Sequence, residues 1–429
     1  MRVLVLNSGS SSLKFKILEV PCLERDGGGH RVLMSGGVNG IGGAARLQSA
    51  VDGSGPAPIS RPVRDHAEAA GWLFEHLRTG DTGSRGSSLL DQIEAVGHRV
   101  VHGGDQFVHP VQVDPTVLAE IERLSELAPL HNPASLAGIR VAQTVLGADV
   151  PMVAVFDTAF HRSMPARASI YAIPQDLAAR HRIRRYGFHG IAHASLAAGY
   201  AAFTGRPLER TRLITLHLGN GCSITAIRDG RSVDTSMGFS PLEGLVMGTR
   251  SGDLDPAVVS HLSRREGVGT DTIEGWLNER SGLLGVSGLS HDMRELLRAG
   301  REEEHGRALL AVDLFCYRAR KYIGAYLAAL GGADAVIFGG GIGEQAPAIR
   351  ARICAGMEWC GLVLDRERNA VATGLAPGEA ARISREDAGL PAYVVAVDEE
   401  AWIARETAGC LRSTGGKKKS SARERIGHG

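Results

Sequence analysis

Two arginines stand where arginine is out of place. Arg99 lies inside GHRVVHGGD (residues 97–105), within a run that otherwise reads as an apolar strand. An unpaired charge in a buried strand is costly, so this one asks for a partner or a ligand. Arg250 lies in MGTRSGDLDP (residues 247–256), a loop of Gly, Ser and Asp. A guanidinium fork suits carboxylate and phosphate oxygens; a lone loop arginine equally suits a surface ion pair. His189, in YGFHG (residues 186–190), is placed either to bond a phosphoryl oxygen or to sit satisfied in a core, and His131 and His161 carry the same two readings. Asp157 ends the apolar run 152–156. Ligands gather at that edge of an open α/β sheet, although a turn or helix-cap aspartate gives the same pattern. Glu399 and Glu400 open a helical stretch, where acids favour the dipole or supply one carboxylate to Mg²⁺.

Three glycine-rich turns could cradle phosphate. NSGSSS (residues 7–12) offers backbone N–H groups and hydroxyls, with Lys14 just beyond, and HLGNG (residues 217–221) has the same character. Either turn alone is weak evidence; together they favour a nucleotide cleft between related domains. IFGGGIGEQ (residues 337–345) runs from strand to helix without the Gly-Lys-Ser/Thr of a P-loop. No cluster has the ligand count of a zinc site.

The elements that must position these residues are legible in the apolar pattern. Residues 2–6 form a continuous apolar run, the mark of a strand covered on both faces, and residues 13–18 alternate. A similar strand–turn–strand unit recurs at residues 212–228, which suggests a duplicated domain. Residues 95–101, 152–156, 335–338 and 393–397 read as further strands. A helix spaced on Val312, Cys316, Ala319, Ile323, Leu327 and Leu330 should stop at Gly331 and Gly332; others should start near Pro347 and after Asp398. Residues 26–60 and 79–88, rich in Gly and Ser, read as surface loops, and residues 415–429 as a disordered basic tail.

Composition bounds the class. The 429 residues carry 48 Lys+Arg against 47 Asp+Glu, a net charge of +1, which argues against a nucleic-acid or membrane-surface partner. Hydrophobic residues make up 43% and charged residues 22%, so the chain is not of the disordered type. No apolar run is long enough to span a membrane, and the six cysteines are scattered without a C-x-x-C pair, as in reduced cytoplasmic proteins. The expectation is a cytoplasmic enzyme.

Taken in order, VLVLNSGSSSLKFKI, VGHRVVHGG, LAPLHNP, VFDTAFH, RYGFHG, HLGNGCSI, TSMGFSPLEGLVMGTRSGDLDP, GLLGVSGLSHDMR, FGGGIGE and DEEAWIARET resemble the acetokinase family, within the acetate and sugar kinase/Hsp70/actin superfamily, over nearly the whole chain. The resemblance implies an α/β fold of two duplicated actin/hexokinase-like (ribonuclease H-like, βββαβαβα) domains around a nucleotide cleft. The first would hold residues 1–157 plus 397–414, the second residues 158–396. It implies reversible phosphoryl transfer from ATP to acetate, directly and in line, with ATP/ADP as co-substrate, Mg²⁺ (or Mn²⁺) as cofactor and a homodimer formed through the second domain. Asn7 and Glu399 would be metal ligands and Lys14 the phosphate-side lysine. Arg99 and Arg250 would hold the carboxylate and the migrating phosphoryl group, with Asp157 and His189 completing the catalytic set. His217, Leu218, Gly219, Asn220, Gly221, Asp292, Met293, Arg294, Gly341, Ile342, Gly343, Glu344 and Gln345 would bind ATP, and Val101, Leu130, Phe188 and Pro241 would wall the acyl pocket. Gln345 stands where the family usually has Asn, and Ile191-Ala192 where it has Thr-Ser. The rival readings are a propionate kinase, a sugar kinase with an aspartate base, and an actin- or Hsp70-like nucleotide switch.

Overall fold

Burial explains the first hairpin. Strand β1 (Arg2–Ser8) is covered on both faces from Val3 onward, while β2 (Ser12–Glu19) buries Leu13, Phe15 and Ile17 and exposes Lys14. They pair antiparallel, with Asn7 opposite Lys14. The computed structural model describes residues 1–9, 11–21, 29–51, 54–79, 89–129, 131–302 and 305–426, with side chains to residue 413.

The chain divides into two units: Met1–Ala159 with Glu399–Gly429, and Phe160–Asp398. In the first unit β3 (Arg31–Asn39), β4 (Gly43–Ala50) and β5 (Ile59–Val63) extend the sheet beyond β2. This corrects the loop expectation for residues 26–60. Glycine there serves close packing: a Cβ on Gly36 would lie 2.1 Å from the Gln48 carbonyl oxygen and 2.8 Å from the Phe15 ring. Helix α1 (His66–Thr79) reaches the first residue of the second expected loop, and residues 80–88 of that stretch lie outside the described residues. After it come β6 (Ala95–Val100), β7 (Val111–Gln112), α2 (Asn132–Leu146) and β8 (Met152–Phe156). The sheet order is β5-β4-β3-β2-β1-β6-β8-β7, with β1, β6 and β8 parallel. Leu4, Leu6 and Phe15 meet Leu73, Phe74 and Leu77 of α1 in the core.

The second unit repeats the plan. Strands β9 (Arg212–Leu218), β10 (Cys222–Arg228) and β11 (Arg231–Thr235) are antiparallel neighbours, and β12 (Ala335–Gly339), β13 (Ala380–Arg382) and β14 (Ala392–Val395) complete the order β11-β10-β9-β12-β14-β13. Here β9, β12 and β14 are parallel, as β1, β6 and β8 are. Each sheet thus begins with an antiparallel run, five strands in the first and three in the second, followed by two strands parallel to its central member (β1 or β9) and a short antiparallel edge. That is the duplicated α/β architecture expected from the two hairpins. Helix α3 (Gly190–Thr204) packs on this sheet; α4 (Gly306–Leu330) ends at Gly331 in the left-handed conformation, and α5 (Gly340–Gln345) follows β12 directly.

The last helix, α6 (Glu399–Ile426), lies against β1, β6 and β8. A Cβ on Gly97 would come within 2.4 Å of Thr407 Oγ1, so β6 needs glycine for this helix to seat. The helix is described through residues 415–426, within the stretch read from the sequence as a basic tail. Lys, Arg, Ser and Glu after Gly416 include good helix formers and no proline.

Candidate active site

In the first unit, four separated stretches converge at the ends of the parallel strands. Arg99 on β6 places Nη2 2.9 Å from Oδ2 of Asp157, just past β8, and donates from Nη1 to Asn7 Oδ1 at 3.3 Å. Asn7 Nδ2 donates to Glu399 Oε2 and to Glu400 Oε1, each at 3.1 Å. Lys16 Nζ lies 3.6 Å from Glu400. Burial by itself would lower the Arg99 pKa, but Asp157, Glu399 and Glu400 outweigh it and the net direction is up. Glu399 is raised, first by burial and then by its carboxylate neighbours Glu400 and Asp157, against the lowering pull of Arg99 and Lys14. The groups here that could ligate a metal are oxygens, the carboxylates of Glu399 and Glu400 and the Asn7 Oδ1 that accepts from Arg99. Oxygen ligands are of the kind a hard divalent cation takes, one or two from protein with phosphate and water completing the shell. Among the described residues no group of three or more His, Cys, Asp and Glu is gathered as a metal cage.

In the second unit, His189 and Arg250 converge on Gly221. A Cβ built on that glycine would lie 3.4 Å from His189 Nε2 and 3.5 Å from Arg250 Nη1, so both groups face the same few ångströms beside the 217–221 turn. Arg250 donates to the Pro241 carbonyl at 3.3 Å and forms no ion pair among the described residues. Burial lowers its pKa. A desolvated cation without a counter-charge is unfavourable alone and favourable once an anion arrives. His189 is held at φ 58°, left-handed backbone that a non-glycine residue rarely adopts, where the chain enters α3. Its ring lies 4.7 Å from that of His217.

The remaining candidates fall around these clusters. Leu218 ends β9, with Gly219, Asn220 and Gly221 in the turn; Asn220's carbonyl accepts from Gly248 N, tying the Arg250 loop to it. Gly341, Ile342 and Gly343 lie in α5, whose Glu344 accepts from the backbone N–H groups of Gly340 and Val397. Gln345 accepts from Gly374 N at 3.1 Å. Asp292 and Arg294 pair at 2.6 Å at the start of a short helix with Met293, leaving the guanidinium exposed; the bond to Arg294 lowers Asp292 to about 2. Val101 and Phe188 are buried, Pro241 is half-buried, and Leu130 lies outside the described residues.

Sequence reasoning passed over two features here. Arg350 is fully buried and donates to the carbonyls of Gly343, Glu344, Asn369 and Ala372, joining α5 to the 369–372 segment; burial brings its pKa to about 10. Ser223 bonds two histidines at once. Ser223 lies within HLGNGCSI, but its hydroxyl was given no role there, and one arginine in an ordinary helix gives no signal.

The model of the acetokinase family matches residues 2–405. An acetate kinase of Solibacter usitatus (strain Ellin6076) is 50% identical over 413 residues, covering 96% of this chain and 98% of its own. The crystal structure of Porphyromonas gingivalis acetate kinase superposes with a TM-score of 0.86 at 40% identity, over 96% of this chain and 99% of that one. A propionate kinase from Francisella tularensis subsp. tularensis SCHU S4 superposes with 0.83 at 36% identity, over 95% and 99%. A match of that extent, on a chain whose two sheets repeat one plan, makes this protein a member of the acetokinase family.

Proposed function

We propose that this chain is an acetate kinase, transferring the γ-phosphoryl group of ATP to acetate to give acetyl phosphate and ADP, reversibly. The observation that carries the reading is the convergence of Arg250 and His189 on Gly221, a desolvated guanidinium and an imidazole facing space that an oxyanion can fill. Acetate is ionised at neutral pH, so no base has to take its proton. Catalysis reduces to positioning and to neutralising charge around a loose phosphoryl transition state. Asp157 is engaged with Arg99 and aims that guanidinium at the acetate carboxylate. Arg250 and His189 serve the migrating phosphoryl group. Lys14 faces the phosphates from β2, and His217, the 219–221 turn and α5 hold the nucleotide, with the exposed plane of Arg294 offering a face to the base.

Asn7 and Glu399, with Glu400 beside them, would hold Mg²⁺. When bound, the ion screens phosphate charge, and Mn²⁺ would substitute for it. The protein is further proposed to be cytoplasmic and to form a homodimer through the second unit, where Ile170, Leu310, Tyr317 and Trp359 are exposed. No described helix is long and apolar enough to cross a membrane. Light scattering at the mass of one chain would reject the dimer.

The similarity to a propionate kinase supports a second reading, propionate as the preferred acid. A hydroxamate assay for acyl phosphate across C2–C4 acids tests both. Acetate should give the highest kcat/KM; ATP hydrolysis indifferent to any acid would instead indicate a nucleotide switch.

A further inference from the structure

Behind His189 runs a chain of alternating hydroxyls and imidazoles. Ser223 Oγ on β10 lies 2.8 Å from His189 Nδ1 and 2.8 Å from His193 Nε2, and His193 Nδ1 lies 2.7 Å from Thr215 Oγ1 on β9. His189 and His193 are one helical turn apart, and the backbone N–H of His193 donates to the His189 carbonyl at 2.9 Å. Thr215, Ser223 and His193 are fully buried. His161 packs edge-on against His193 and holds the Phe188 carbonyl at 3.0 Å, fixing the backbone just before His189.

Proton counting gives this chain a direction. A hydroxyl carries one proton, and two ring nitrogens face Ser223 Oγ, so the serine donates to one and accepts from the other. Among the described residues the Thr215 hydroxyl meets no acceptor but His193 Nδ1, so its proton points there. The proton of neutral His193 then sits on Nε2 and is given to Ser223 Oγ. Ser223 in turn donates to His189 Nδ1, which leaves the proton of His189 on Nε2. That is the edge facing the Gly221 space together with Arg250 Nη1.

We infer that Ser223 and Thr215 are positioning residues which, through His193, hold His189 as its Nε2–H tautomer. The inference rests on the proposed role of His189 at the phosphoryl group. The opposite tautomer would turn a lone pair toward the anion, repelling the charge that develops in transfer. The chain does this with neutral groups, so no buried imidazolium is required, and each member is saturated by the next. The effect reaches His189 from a threonine three contacts away, through His193 and Ser223.

The test reads the tautomer directly, in the full-length protein without ligands. With ¹⁵N-labelled histidine, long-range ¹H–¹⁵N spectra distinguish a protonated from a bare ring nitrogen; the His189 signals are those lost in His189→Asn. Wild type should show His189 protonated at Nε2 and bare at Nδ1. Thr215→Val keeps the shape and removes the terminal donor. It should give a mixed pattern at His189 and lower kcat about tenfold, with KM for ATP and acetate within about twofold. Thr215→Ser, which keeps the hydroxyl, should restore the pattern and most of kcat. Ser223→Ala should cost more, on the order of a hundredfold; should it misfold, Thr215→Val carries the test. A wild-type His189 protonated at Nδ1, or an unchanged His189 pattern in Thr215→Val, overturns the inference. Failure of the wild type to form acetyl phosphate would overturn the proposed function while leaving the tautomer result standing.

Discussion

Arg99 Nη2 and Asp157 Oδ2 meet at 2.9 Å because β6 and β8 are neighbouring parallel strands, with Arg99 opposite Val155 and the Asp157 N–H bonded to the Val100 carbonyl. Asp157 is only 2% exposed and paired with Arg99, and its proposed role is to aim that guanidinium rather than to act as a base. Asp157→Asn should therefore lower kcat/KM for acetate by roughly ten- to a hundredfold, as expected for a lost charge-assisted contact of about 1.5–3 kcal/mol. The pH profile of kcat should keep its shape. Loss of the acid limb in this variant would restore Asp157 to the role of base.

Arg99 and Arg250 should separate kinetically. Arg99 is braced by Asp157 and Asn7, so Arg99→Ala should chiefly raise KM for acetate. Arg250 rests on a single carbonyl and a thioether, free to engage the anion, so Arg250→Ala should chiefly lower kcat. Each loss should be on the order of 10²–10³, the cost of stripping a charge-assisted contact from a desolvated site. Lysine should rescue neither, since an ammonium lacks the planar fork. Steady-state kinetics in which all four variants stay within about threefold of wild type, ~0.65 kcal/mol, would remove both assignments.

Metal dependence should map to the Asn7–Glu399 contact. Glu399→Gln keeps the hydrogen bond's shape but gives up the charge, and should raise the Mg²⁺ concentration for half-maximal rate by about tenfold or more. Chelation should abolish transfer in the wild type. Titrating Mg²⁺ at saturating ATP checks this, and an unchanged requirement in the variant would place the ion elsewhere.

His98, buried on β6 with Nε2 3.4 Å from Met152 Sδ, should govern part of the acid stability. Burial pushes its pKa from 6.5 to about 3. Below pH 6.5 the unfolded chain binds a proton that the folded one refuses. Its contribution is therefore full above that pH and falls as the pH drops toward 3, by up to ~1.4 kcal/mol per unit. His98→Leu should flatten the fall of unfolding free energy between pH 6.5 and 4 by about one proton's worth. Urea melts of the two proteins would reveal this; parallel pH curves would contradict it.

Legibility in the sequence tracked how local the signal was. β1 and β9 read correctly because both faces are covered and the run is unbroken, and α4 because its apolar spacing and its Gly331 stop lie within one element. β3 did not, since Gly36 and Gly37 interrupt its alternation where neighbouring backbone leaves no room for Cβ. That Asn7 would meet Glu399, 392 residues away, rests on tertiary pairing, and only the resemblance to a family brought the two together in advance. Ser223 and Thr215 stayed invisible for a related reason. A hydroxyl on a buried strand reads as filler until a helix from elsewhere sets histidines against it.

Helix α6 also sets an order of assembly. The second unit is one continuous stretch, Phe160–Asp398, and has everything it needs once residue 398 has left the ribosome. The first unit does not. Its sheet is made early, yet the surface of β6 at Gly97 and the amide of Asn7 wait uncovered until residues 399–407 emerge. During synthesis the earlier domain must therefore stay open while the later one folds, exposing apolar strand surface for the time taken to add some 240 residues, at about 5–20 residues per second. The residues proposed to bind metal close that gap, so the nascent enzyme acquires its cation site and the seal on its first core in the same step.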